Sequence, residues 1–332
     1  MRSLATCALA AALAAAGCGG SHHAAGSTTS IAVAPTTPAE QLLALLPDHP
    51  QVVVEVDLAR LRANPVVGAL VVRVLADNLV PMPDDPHAGS TLERNDQLLA
   101  TADHLCLAAY GVGTDAAATI TLVDVQRAPA GATPVGDHYY ALGPAEWVRQ
   151  VEARAGLVAS NTPLAASPEL LALRARSMPA GAPGATLRIT ARLSAQARAE
   201  LAKDIGIANP PALLSIWGDV VDDLAVVIDA QATEERSGKA AKQAVARLTA
   251  TMQAMLRSAA DLPAARALGL TGSLGAAKLA ERGRWIRAII AIGPAHLKRV
   301  VERGTAVLGS PVPSPVSSPI PPSPTAVPGA TP

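Results

Sequence analysis

The sequence predicts an α+β protein of two similar units, each an antiparallel sheet covered by helices on one side, with a disordered N-terminal tether and a Pro-rich C-terminal tail. Three observations lead to this fold class. Apolar and β-branched runs at 104–112, 118–126 and 137–142 follow one another with turn residues between them, as antiparallel strands do. Helix-capping residues and helical spacing mark the stretches on either side of that group. Finally, Tyr139–Glu152 reads YYALGPAEWVRQVE, and 150 residues later Ile289–Glu302 reads IIAIGPAHLKRVVE. Gly-Pro-Ala, Arg, Val and Glu align, each time as a strand, a Gly-Pro corner and a helix with Pro in its first turn.

The first unit, 39–178, opens with a helix at 39–46 that Pro47 ends, followed by a buried strand at 51–56. Asp57 caps the next helix, which breaks at Asn64-Pro65 and restarts over 66–77. Residues 81–89 read as loop and 92–100 as helix, before the three strands. A helix over 144–155, a short strand at 157–160 and a helix at 168–176 complete the unit. The boundary falls at 179–184, where PAGAPG offers Pro and Gly but no core residue.

In the second unit, 179–308, Ile189–Ala195 resembles Val52–Leu58, with Ser194 standing where Asp57 stands. Asp222–Asp229 likewise resembles Asp103–Tyr110. These offsets, 137 and 119, are unequal, so a long helix at 237–260 reads as an expansion of this unit. The glycines of 269–275 form a connecting turn into a strand, the reverse of a phosphate-binding strand-to-helix turn. The repeated corner then leads into a helix at 294–308.

The N-terminus carries the most specific motif. Arg2 precedes a short apolar run, Leu4–Ala16, too brief to span a bilayer, and Ala15-Ala16-Gly17-Cys18 ends it. This resembles the lipobox of bacterial lipoproteins; a plain export signal is the alternative. The resemblance implies removal of residues 1–17, lipid attachment at Cys18 and, from Gly19, transport to an outer membrane facing the periplasm. Two or three acyl chains hold a protein effectively permanently, whereas one does not. Residues 18–38 then form a Gly-, Ser- and Thr-rich tether, and 309–332 a Pro/Ser-rich tail of extended polyproline character. The globular part resembles uncharacterised Ala-rich envelope lipoproteins.

Composition narrows the chemistry. Half of the residues are hydrophobic but only 2% are aromatic, and Phe is absent, so Ala, Val, Leu and Ile must build the core. Basic and acidic residues balance at 27 each, which sets nucleic-acid binding aside because that needs clustered positive charge. With Cys7 removed and Cys18 acylated, Cys106 has no intrachain partner and reads as a small core residue within an apolar strand.

No serine-hydrolase elbow, zinc-protease helix or P-loop occurs, so no catalytic, cofactor-binding or metal residues are assigned. His22 and His23 lie in the tether. Asp84, Asp85 and His87 read as a solvated loop, and Asp222 and Asp223 as neighbours pointing to opposite faces of a strand. Trp147, Trp217 and Trp285 read as mostly core packing, and Arg188, Arg192 and Arg198 as a wet face. The sequence therefore points to a membrane-anchored, non-catalytic binding or scaffold component with an envelope protein as partner. The alternatives are a carrier of a small apolar or lipid ligand and an exported hydrolase without a local motif.

Overall fold

The computed structural model describes residues 37–64, 97–159, 165–182, 184–205, 209–220, 224–232, 238–261, 265–266, 269–293 and 298–299. The signal and lipobox, nearly all of the tether, 66–77, 81–89, the tail and most of 294–308 lie outside them.

Local sequence explains the first elements. Thr37 and Glu40 form a reciprocal capping box at the start of α1 (Pro38–Leu45), each side chain accepting the other's backbone N–H at 3.3 Å. Thr37 and Pro38 thus belong to the helix rather than to the tether. Strand β1 (Val52–Asp57) is a continuous apolar run interrupted by Glu55, and Asp57 closes it by capping α2 (Leu58–Arg62), accepting from Arg60 N at 2.7 Å. Residues 97–101 are helical. Then come β2 (His104–Tyr110), β3 (Ala118–Asp124), a two-residue β4 (Thr133–Pro134), β5 (Tyr139–Leu142), α3 (Ala145–Ala159) and α4 (Pro168–Arg176). The short strand expected at 157–160 is absent, because α3 runs on through Ala159 and leaves Leu157 and Val158 exposed.

The second half runs β6 (Leu187–Arg192), α5 (Ala195–Ile205), β7 (Leu213–Asp219), β8 (Leu224–Gln231), α6 (Lys239–Asp261), α7 (Thr271–Gly275), β9 (Lys278–Arg282) and β10 (Trp285–Ile292). Where the sequence suggests only a turn at 269–275, α7 forms a short helix. Ser194 does cap α5, accepting from Ala197 N at 3.0 Å, as Asp57 caps α2.

The ten described strands form one antiparallel sheet in the order β4-β5-β3-β2-β1-β6-β7-β8-β10-β9. The two halves therefore share a single sheet rather than each owning one. They meet at β1 and β6, paired from Val52↔Ala191 to Val56↔Leu187. Read outward from that junction, each half has the same plan: first, second, third, fifth, fourth strand. By this plan β5 matches β10, in agreement with the repeated corner. The echo between 103–110 and 222–229 is not matched, since β8 occupies the place of β3 and β2 corresponds to β7. Unpaired strand edges invite association, and both outer strands are blunted: β4 is two residues long with a proline, and β9 carries Lys278, Glu281 and Arg282.

Helices cover both faces, not one. On one face Val54, Ile189, Ile216, Ile228 and Ile290 pack with Leu58 and Leu61 of α2, Leu99, and the Val245, Leu248, Met252 and Leu256 stripe of α6. On the other, Val53, Cys106, Ile120 and Leu122 pack with Leu42 and Leu43 of α1 and Val148 and Val151 of α3. Strands buried on both sides cannot alternate polar with apolar, which is why β1 reads as an apolar run.

Candidate functional site

Two places concentrate chemistry-bearing residues. The first is the sheet face under α4. Antiparallel pairing aligns Glu55, Arg188 and Trp217 in one row and Thr190, Ser215, Asp229 and Arg287 in the next. From α4 and the turn after it, Arg174 pairs with Glu55 at 2.9 Å, Arg176 lies 3.7 Å above the Trp285 ring, and Ser177 meets Ser215 at 2.8 Å. Arg287 grips Asp229 at 2.5 Å and donates to Arg176 O at 2.8 Å. Apart from the Arg287–Asp229 pair, which joins β10 to β8, these contacts tie α4 and the turn after it to the sheet, so the cluster is a structural clamp.

Arg188 sits inside this clamp at 7% exposure, which corrects its expected place on a wet face. The pairing of β1 with β6 decides this, turning residue 188 toward Glu55 and beneath Met178, whose Sδ lies 3.5 Å from its Nη2. Burial, with help from neighbouring Arg174, pushes its guanidinium down to about 10. Arg192 does reach solvent and pairs with Glu169 at 3.0 Å. The tryptophans divide: Trp217 is buried with Nε1 donating to Gly184 O, Trp147 stacks on Tyr110, and Trp285 lies half-buried beneath Arg176.

At one end of the sheet His104 stands between two carboxylates, Nδ1 3.2 Å from Asp124 and Nε2 3.8 Å from Asp57. Nearby, Asp219 accepts from Arg60 Nε and Nη2 and from Thr186 Oγ1 at 2.6–2.7 Å. Burial would raise its carboxyl, but those hydrogen bonds outweigh burial and hold it below the usual carboxylate range. Cys106 is a free, buried thiol whose ionisation burial pushes well up, so it packs as the apolar residue the sequence suggests and is a poor nucleophile.

The second place is a cleft of about 360 Å³ between α5 and α6, large enough for a small ligand. Ala195, Ala199 and Ala202 line it from α5, at the i, i+4, i+7 spacing of one helix face, and Ala244 and Leu248 line it from α6. Arg198 and Arg247 also contribute to its lining. Asn209, also in the lining, donates to Thr251 Oγ1 of α6 at 3.4 Å. On its far side α5 is locked to the first half: Ala197 is fully buried, and Gln196 Nε2 donates to Gly113 O at 2.8 Å.

Arg198, expected on the wet face, has its Nε buried without a hydrogen-bond partner, so that N–H faces neither bulk water nor an internal acceptor. Arg247 and Asn209 carry no signal in the sequence that would single them out. The alanine spacing of α5 is visible there, but nothing local shows that α6 faces that stripe. Cys18, His22, His23, Asp84, Asp85, His87, Asp222 and Asp223 all lie outside the described residues. Among the described residues no group of three or more His, Cys, Asp or Glu is placed to hold a metal.

The fold class is thus an α+β protein built on one ten-stranded antiparallel sheet with helices on both faces. No protein-family model matches the chain, and no curated protein matches its sequence. Among solved structures, crystal form I of TP0453 is similar over 81% of this chain and 99% of that one, with a TM-score of 0.43 and 7% identity. Crystal form III of TP0453 is similar over 79% and 97%, with a TM-score of 0.42 and 9% identity.

Proposed function

We propose that this protein is a lipid-anchored envelope component that acts by binding rather than by catalysis. Its lipid is carried on Cys18, and the tether places the globular part beside the membrane, at the periplasmic face of the outer membrane. The lipobox supports the anchor. Among the described residues no helix is long and apolar enough to cross a membrane, and an acyl anchor needs none.

The observation that carries the binding reading is the composition of the α5–α6 cleft. Its lining is Ala, Leu, Pro, Asn and Arg. Among the described lining residues none offers a nucleophile, and arginine keeps its proton at any physiological pH. The cleft does have apolar walls and fixed positive charge, which are what recognition requires. The shared plan of the two halves supports the duplication read from the sequence, with the cleft belonging to the expanded second unit.

Cys18→Ala tests the anchor: the precursor stays unprocessed and metabolic labelling with radioactive fatty acid disappears. Persistent labelling, or a mature amino terminus elsewhere, overturns it. Turnover on ester, peptide, glycoside or phosphate substrates that is lost on changing one Ser, His or Asp overturns the binding reading.

A further inference from the structure

We infer that Met178 is an oxidation site whose sulfoxide tightens the clamp beneath α4, the added oxygen accepting a hydrogen bond from the buried guanidinium of Arg188. This goes beyond the binding role and involves no part of the α5–α6 cleft. Met178 stands in the turn after α4 and is 44% exposed, one of three large apolar side chains left open to solvent among the described residues. Arg188 Nη2 donates to its Sδ at 3.5 Å, although Arg188 itself is only 7% exposed. One sulfur thus links an accessible side chain to a charge that has left water.

That charge is poorly supplied with acceptors. Glu55, its cross-strand neighbour, accepts from Arg174 Nε with both oxygens, at 2.9 and 3.0 Å. Arg188 Nη1 is buried with no partner, and Nη2 meets a thioether, which is a weak acceptor. Desolvating a guanidinium in this way costs stability, and a stronger acceptor at the sulfur lowers that cost. The gain belongs to Nη2, while Nη1 stays sealed.

A peroxide supplies the oxygen. The sulfur lone pair attacks one peroxide oxygen, and an S–O bond forms as the O–O bond breaks. With hydrogen peroxide, a proton passes from the transferred oxygen to the departing one, which leaves as water. Sulfur loses two electrons and the peroxide gains them. The new oxygen is strongly polar and lies one bond beyond Sδ, and the open side of Met178 gives the sulfur room to swing out as that oxygen turns to Nη2. Methionine oxidation ordinarily disrupts packing, as it would for Met252, 8% exposed in the core stripe of α6. At Met178 little packing is at stake, and a charge-assisted hydrogen bond is formed.

The test treats the whole mature chain, prepared without its acyl group, with graded hydrogen peroxide under native conditions. Peptide mass spectrometry locates the oxygen, and urea denaturation measures stability in a background carrying Met82→Leu and Met255→Leu. Met178 is expected to oxidise before Met252, and the singly oxidised protein to gain about tenfold in its folding equilibrium constant. Met178→Gln, which places an amide oxygen at similar reach, raises stability without oxidant. Neither gain appears in Arg188→Met, and peroxide brings none in Met178→Leu. Stability unchanged or lowered by oxygen on Met178 overturns the inference. So does an equal gain in Arg188→Met, or oxidation of Met252 ahead of Met178.

Discussion

At the scale of single residues, the informative contrast is between two charges buried side by side. Glu55 and Arg174 satisfy each other, whereas Arg188 shares their row with an Nη1 that is buried and unpartnered. Removing one member of a buried pair strands the other, and removing a buried charge that lacks a carboxylate of its own relieves a desolvation cost. Glu55→Gln is therefore expected to destabilise the protein by about 3 kcal/mol, and Arg188→Met to leave stability unchanged or raise it by about 1 kcal/mol. Urea denaturation of both variants decides this. A large loss in Arg188→Met would mean that Arg188 holds the clamp together.

At the scale of elements, α5 shows how one contact between the halves shapes the cleft. Gly113, in the turn between β2 and β3, has φ +81°, and a Cβ there would lie 2.8 Å from Ala197 Cα. Only glycine lets α5 approach this closely. Gly113→Ala is expected to cost about 1–3 kcal/mol of stability and to shift α5. Gly131 provides the control, with φ +73° and nothing within 4 Å of the place a Cβ would take, so Gly131→Ala keeps the backbone cost and loses the clash. Equal Tm losses in the two variants would show that the close approach is unimportant.

At the scale of the whole molecule, the junction of β1 with β6 makes the two halves one cooperative body. Both strands are central, and both faces of the sheet are covered across the junction. Unfolding is expected as a single transition, with coincident midpoints from tryptophan fluorescence and far-ultraviolet circular dichroism. Cutting the chain between 178 and 187 exposes β1 and β6 as long apolar edges, so the isolated halves should aggregate or pair with each other. Two resolved transitions, or two soluble monomeric halves, would contradict this.

The elements whose causes are local were legible in the sequence. Pro and Ser set the ends of α4, Asp57 and Ser194 announced their helices, and the Gly-Pro corner announced the match of β5 with β10. Each depends on hydrogen bonds or dihedral limits within a few residues. Joining the halves into one sheet was not legible, because two apolar edge strands carry the same pattern whether they pair with each other or cap separate sheets. That choice buried Arg188 and placed helices on both faces. The cleft has the same origin: the alanine stripe of α5 belongs to the sequence, but its facing α6 is a property of long-range packing that no local spacing records. The sequence by itself determined the aliphatic composition of the core and the capped helices, since these act through composition and nearest neighbours. Only the tertiary structure decided which strand edges met and which charges were left without partners, because those outcomes depend on residues more than a hundred positions apart.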